Sequence, residues 1–458
     1  MDRTSDLTQG RTLPLILKFF FPLLLTNTLQ QLYSFADTAI VGKGLGDDSL
    51  AAVGNMSSLC FLIIGFSMGL SNGFSILIAQ AFGEKNYPKL RKTLGASIRL
   101  ALMITGILTL FSMLFLRNIL MLLRTDPSII EESLSYGYIL FGGLAATVGY
   151  NMSAGVLRAL GDSRTPLRAI IISSVMNITL NSVFIFWCHW GVRGAAAATI
   201  ISQLFSGGFC LSRLVKIDIL KLTKEDMQDD PAMNATLLKN GLPMACMNSI
   251  TAVGCMVVQY FVNGLGVAFT SAYSACSKYL NMAMQPAATA GAAMSSYTSQ
   301  NYGAKRFDRI REGLRICLAI ALITYLLLGS VMTFFPRQLA GLILNGEEQI
   351  GYAMQFLPIC GMMIFAVDML FVIRNGVQGM GFPFIPMLSG IAEMVLRIGA
   401  IVLLIGNIGF RATAAAEVFA WTGALAINAA AYICIFSRER ARCEGKGMIA
   451  EMPAKNRA

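Results

Sequence analysis

Charge is the scarcest thing in this sequence. Only 13% of its residues are Asp, Glu, Lys or Arg, about half the share found in soluble globular proteins, so the chain is not an assembly of water-soluble domains. It has one histidine, His189, and neither an HExxH nor a CxxC pattern, which leaves an intramembrane metalloenzyme without a ligand set. No GxxxxGK[ST] occurs, so an ATP-driven motor is absent from the sequence. The ten cysteines are scattered, mostly through apolar stretches, and read as small hydrophobes rather than as a disulfide framework.

What is present is apolar length. Of 458 residues, 55% are hydrophobic, and windows of about 20 residues give twelve candidate membrane helices that fill nearly the whole chain. The fold class is therefore an all-α polytopic membrane protein. The first segment is longer than a signal-peptide core and lacks a small-residue cleavage pattern, so it reads as a retained helix. Six basic residues, Lys43, Arg117, Arg124, Arg193, Arg337 and Arg411, fall in loops of one side, and Lys278, Arg374 and Arg397 fall within helices. The rest of the 36 Lys and Arg lie in the N-terminal arm, the alternate loops and the tail. That asymmetry places both termini in the cytoplasm, and it accounts for the net charge of +11 as a topology signal rather than as a nucleic-acid surface.

The chain also repeats itself. At an offset of 220, GLGDDSLAA (44–52) matches GLGVAFTSA (264–272), AQAFGEKNYPKLRKTL (79–94) matches SQNYGAKRFDRIREGL (299–314), and Gly161 and Pro166 fall on Gly381 and Pro386. Pro22 pairs with Pro243, and GVRGAAAAT (191–199) with GFRATAAAE (409–417), at nearly the same offset. Six helices per repeat make the repeats parallel, which predicts two pseudo-symmetric six-helix lobes with a substrate path between them. The expected organisation is an amino-terminal lobe over 1–215, a cytoplasmic connector over 216–238, a carboxy-terminal lobe over 239–436 and a cytoplasmic tail over 437–458. Gly65, Gly69 and Gly73 recur every four residues and predict close helix packing. Pro22 and Pro243 sit inside helices one and seven, where each permits a bend.

Four carboxylates fall inside helices: Asp37, Asp368, Glu393 and Glu417. Ionisable groups in a membrane are costly and face a cavity or a partner. Glu393 has Arg397 four residues on, which fits either a structural ion pair or a place in the substrate cavity. Asp368, ahead of Arg374, fits either a partly solvated place in that cavity or a structural role, and Glu417 is expected to be structural. Asp37 has no basic residue within a turn or two, so it is the functional candidate. Asn177 and Asn181, extended by Ser173 and Ser174, form a polar stripe in the fifth helix, and Thr199 in the sixth could complete a cluster of oxygens around Asp37. One carboxylate among neutral oxygens suits a small hard cation such as Na+, or a proton. Asn151, Asp368, Glu393 and Arg397 are the candidates for the substrate cavity.

These residues carry a resemblance. QQLYxxxDxxxVG in helix one, the GxxxLAAVG start of helix two, AQxxG, LRALGDSRTP and NxxxN resemble the multidrug and toxic compound extrusion (MATE) transporters over almost the whole chain. The resemblance implies two lobes alternating between outward-open and inward-open states. It implies export of bulky, often cationic and aromatic compounds against inward Na+ or H+, with no organic cofactor. It maps an ion site onto Asp37, Asn177, Asn181 and Thr199. The chain departs from the family where Asn181 replaces the usual Asp, and where no acid stands near Thr251 in helix seven. The expectation is a monomer in the plasma membrane handling a small amphipathic substrate, one monovalent ion at a time. A flippase for lipid-linked saccharides, from the same superfamily, is the alternative. A passive channel fits the composition too, and uphill export distinguishes it.

Overall fold

The computed structural model describes residues 5–122 and 125–451; Arg124 and the end of the 437–458 tail lie outside them. Long apolar runs satisfy their backbone polar groups within helices, the arrangement a lipid environment demands. In chain order these are α1 (Thr12–Leu45), α2 (Asp47–Gly83), α3 (Tyr87–Leu122), α4 (Ile130–Gly142), α5 (Leu144–Ala159), α6 (Arg164–Ser182), α7 (Val192–Leu214) and α8 (Pro231–Asn263). There follow α9 (Val267–Gly303), α10 (Phe307–Thr324), α11 (Ser330–Phe334), α12 (Pro336–Ile343), α13 (Glu347–Gly379), α14 (Phe384–Ile408) and α15 (Arg411–Glu451). Among the described residues ten spans are individually long and apolar enough to cross a membrane, and α4 with α5 makes an eleventh, bent by 45°. The 37-residue α9, diluted by Ser, Thr, Asn and Gln, brings the number to twelve. The chain is an all-α, multi-pass membrane protein.

The repeat is written in the backbone as well as in the sequence. Residues with positive φ recur in pairs: Gly46 with Gly266, Lys85 with Lys305, Gly161 with Gly381, and Gly191 with Gly409. Two of these pairs close helices in the same manner. Lys85 N–H donates to Phe82 O and Asn86 N–H to Ala81 O; Lys305 donates to Tyr302 O and Arg306 to Asn301 O. Gly161 and Asp162, and Gly381 and Phe382, repeat that pattern, in which a left-handed residue turns the chain so that the last carbonyls are satisfied.

Two compact units result, one containing Leu17–Ala252 and the other Leu7–Ile16 with the chain from Val253 onward. Each repeat thus lends its opening segment to the other unit. In the first unit, the amino-terminal half of α8 lies against α2: a Cβ on Gly69 would meet Ala245 Cα at 2.6 Å, and Asn248 Nδ2 donates to Gly65 O at 3.0 Å. The close packing expected of Gly65, Gly69 and Gly73 is made here. The connector also docks in this unit, through Arg91 to Asp226 at 3.4 Å and Arg99 to Asp229 at 3.3 Å. The Thr223 N–H, aided by its hydroxyl and by Arg91, holds the Asp226 carboxyl below its usual range. In the second unit the arm before α1 is clasped by α9 and α10. Leu7 N–H donates to Gln300 Oε1 at 2.8 Å, Arg306 donates to Thr8 O at 2.8 Å, and Arg309 donates to Gly10 O at 2.8 Å.

Candidate functional site

In the first unit, three helices bring the expected polar residues together. Asn177 and Asn181 stand four residues apart on α6, hence on one face. Asn181 Nδ2 donates to Asp37 Oδ1 on α1 and to Asn177 Oδ1 at 3.1 Å. Both asparagines are at most 1% exposed. One amide therefore orients the carboxylate and the neighbouring amide together, and it leaves Asn181 Oδ1 and Asn177 Nδ2 buried without protein partners.

One turn along these helices, Asn177 forms the wall of a small recess that also takes in Tyr33, Ser174, Thr199, Ser202 and Gln203. Ser174 Oγ, Ser202 Oγ and Gln203 Oε1 are buried there with no protein partner. Buried polar groups are ordinarily satisfied, so oxygens left over in a recess one turn from the Asp37–Asn181 bond suit something small and polar. A single negative charge surrounded by neutral oxygens matches one hard monovalent cation, or a proton with water. No group of three or more His, Cys, Asp or Glu converges on a metal position among the described residues, so the arrangement owes its chemistry to one carboxylate.

Of the expected ion-site residues, Asp37, Asn177 and Asn181 form one hydrogen-bonded set, while Thr199 stands across the recess with Asn177. Sequence reasoning overlooked Tyr33, Ser202 and Gln203. The signal was available: Tyr33 is one turn before Asp37, and Ser202 and Gln203 are one turn after Thr199, so each shares a helix face with a recognised residue. Asn151, half-buried on α5, does not line this recess. Pro22 and Pro243 lie inside α1 and α8 as expected, and Pro22 O accepts the Thr26 hydroxyl at 2.8 Å.

The second unit holds a different cluster. Arg374 Nη2 on α13 donates to Glu393 Oε2 at 2.7 Å, and Arg397 Nη2 on α14 donates to Glu393 Oε1 at 3.0 Å and to Glu417 Oε2 on α15 at 3.0 Å. All four side chains are less than a tenth exposed. Two cations and two anions alternate, so the chain of charges is neutral. Glu393 and Arg397 do pair, as their spacing predicts, but within a network spanning three helices. Asp368 is fully buried on α13, not partly solvated, and neither carboxylate oxygen has a protein hydrogen bond. Arg374, its nearest basic residue in sequence, turns to Glu393 instead.

Twelve apolar helices in two sequence repeats, with a buried polar cluster inside each, are the frame of a polytopic membrane transporter. The MatE family model matches twice, over residues 22–183 and 243–403, and the chain belongs to the MATE family. It is 31% identical to the probable multidrug resistance protein YoeA of Bacillus subtilis over 74% of this chain and 75% of that protein. It is 29% identical to the probable multidrug resistance protein YpnP of the same organism over 83% and 85%. Among solved structures it is similar to a MATE crystal structure in the bent conformation, with a TM-score of 0.90 at 21% identity, covering 96% of this chain and 99% of that one.

Proposed function

We propose that this protein is a secondary active antiporter of the plasma membrane that exports bulky cationic or aromatic compounds in exchange for inward Na+ or H+. The observation carrying this reading is Asp37, a carboxylate inside α1 held by the Asn181 amide, whose own oxygen is buried without a protein partner. Binding of one cation or proton neutralises the site, and the change of charge within the helices is what couples ion entry to a change of state. The names of the relatives support drug export as the class of cargo. Met and Phe are abundant, with 26 and 28 residues, and supply adaptable apolar surface for varied substrates. On this reading the termini and the connector face the cytoplasm, following the Lys and Arg distribution, and the working unit is a monomer.

Flipping of lipid-linked saccharides, the alternative, asks for basic residues free to hold phosphate. Arg374 and Arg397 are each committed to a glutamate, which favours export of cationic cargo. The test is ethidium export from cells stripped of their own pumps, with the Na+ gradient and the pH gradient collapsed separately. Export should stop when one gradient is removed, and Asp37→Asn should reach the membrane and export nothing. Undiminished export by Asp37→Asn would remove the carboxylate from the mechanism, and export down a concentration gradient alone would make the protein a passive channel.

A further inference from the structure

The two repeats carry unlike chemistry at matching positions. Gly161 and Gly381 fix the register before α6 and α14, and Gly191 and Gly409 fix it before α7 and α15. In that register Ser173 and Asn177 of the first repeat correspond to Glu393 and Arg397 of the second, Thr199 corresponds to Glu417, and Asp37 corresponds to Val257. The salt-bridge network is thus the second repeat's version of the ion site. The helices in contact are the matching ones, with the contacting residues one turn apart in the register. Asn181 reaches from α6 to α1 in the first unit. In the second unit Arg397 extends from α14 toward α8, where a Cβ on Gly254 would stand 3.4 Å from its Nη1.

Charge makes the comparison quantitative. The first set contains one anion, Asp37, and three neutral residues, and so calls for one monovalent cation. In the second, Glu393 and Glu417 bring two negative charges and Arg374 one positive, so without Arg397 this set would also carry a single negative charge. The Arg397 guanidinium, donating from Nε and Nη2 to Glu417 and from Nη2 to Glu393, is the cation that balances it. We propose that Arg397 is a tethered cation occupying, in the second repeat's network, the place that an exchangeable ion takes in the first, so that this network takes no exchangeable ion. The proposal rests on the Asp37 reading above.

It follows that removing the tether creates a site. The experiment is equilibrium binding of radioactive sodium to the detergent-purified full chain, at constant ionic strength with choline as the replacement cation. With the first site disabled, Asp37→Asn and Asp37→Asn/Arg397→Lys should bind no sodium, whereas Asp37→Asn/Arg397→Gln should bind about one sodium per chain. Adding Glu417→Gln should abolish that binding, because the Arg374–Glu393 pair that remains is neutral. A folded Asp37→Asn/Arg397→Gln protein that binds no more sodium than Asp37→Asn overturns the proposal. Should the Gln variant be too unstable to purify, its yield of monodisperse protein from membranes held in Na+ or in choline decides the matter. Recovery in Na+ alone supports the tether, and equal yield in both salts overturns it. The Asp37 reading fails separately, if Asp37→Asn keeps ethidium export; the added sodium of Arg397→Gln is then scored against the Arg397 parent.

Discussion

Removing Glu393 should be far more damaging than its single hydrogen-bonded neighbours in sequence suggest, and a second substitution should repair most of the damage. Among the described residues Glu393 is the only acid paired with Arg374, at 2.7 Å, and one of two paired with Arg397. Glu393→Gln therefore strands one buried guanidinium and leaves the network with an excess positive charge. Breaking a buried pair in this way costs about 3–5 kcal/mol. For a unit of roughly 200 residues, at about 2–4 °C per kcal/mol, the melting temperature should drop by about 6–20 °C. Arg374→Met leaves Glu393 paired with Arg397 but gives an excess negative charge, so it also destabilises. The double variant Arg374→Met/Glu393→Gln restores neutrality, retains the Arg397–Glu417 bridge, and lets the new amide oxygen accept from Arg397. Its loss should be smaller than that of Glu393→Gln alone. The assay is thermal unfolding of purified protein followed by size-exclusion chromatography, run as a double-mutant cycle. Additive losses, with the double variant least stable, would refute the argument that charge balance holds α13, α14 and α15 together.

Gly73→Val should destabilise by at least about 1–3 kcal/mol, because a Cβ there would stand 2.5 Å from Gly241 Cα, whereas Gly106→Ala, with nothing within 4 Å, should leave the melting temperature unchanged. Lys85→Gly should raise stability by about 1 kcal/mol in the same assay, since Lys85 closes α2 at φ 56° and the left-handed region costs a side chain about that much. The Asp226 carboxyl, held below its usual value, stabilises the docked connector above the unfolded carboxyl pKa of about 4, and that stability is lost as pH falls through the lower folded value; limited proteolysis of the connector should therefore increase in acid, and Asp226→Asn should show the increase at neutral pH. Asn181→Asp replaces an amide that donates to Asp37 by a second acid, and two contacting carboxylates hold a proton between them; the pH profile of export from vesicles should move upward, and an unchanged profile would place the coupling ion elsewhere.

The helices were legible in the sequence because lipid leaves so few ways of satisfying a backbone, and apolar length alone reveals them. The repeat was legible because turns constrain residue type: Gly161 and Gly381 both supply a positive φ. Asp37, Asn177 and Asn181 could be found because a carboxylate without a local partner stands out in an apolar run. Other features depend on tertiary approach. The pairing of Arg374 with Glu393 joins different helices across 19 residues, whereas the 45° break between α4 and α5 falls at Gly142 and Gly143, a pair that permits a kink. The exchange of opening segments between units leaves no periodic trace either, since Leu7–Ile16 is held by backbone carbonyls accepting from Arg306 and Arg309, and carbonyls are present at every residue.

The repeats have kept their turns and diverged in their interiors, and the physical demands on the two explain why. A helix closure that needs a positive φ tolerates few substitutions, so Lys85 and Lys305, or Gly46 and Gly266, remain paired. On the proposed reading, an ion site is held to function in the first copy. Its ligands must bind weakly enough to release, which suits one carboxylate with neutral oxygens such as Ser174, Ser202 and Gln203. A guanidinium clasped by two glutamates, with all of its partners less than a tenth exposed, has no release step. The same position in the fold thus becomes either a place of exchange or a fastening, depending on whether the cation is delivered by solvent or attached to the chain. In this protein the fastening ties α13, α14 and α15.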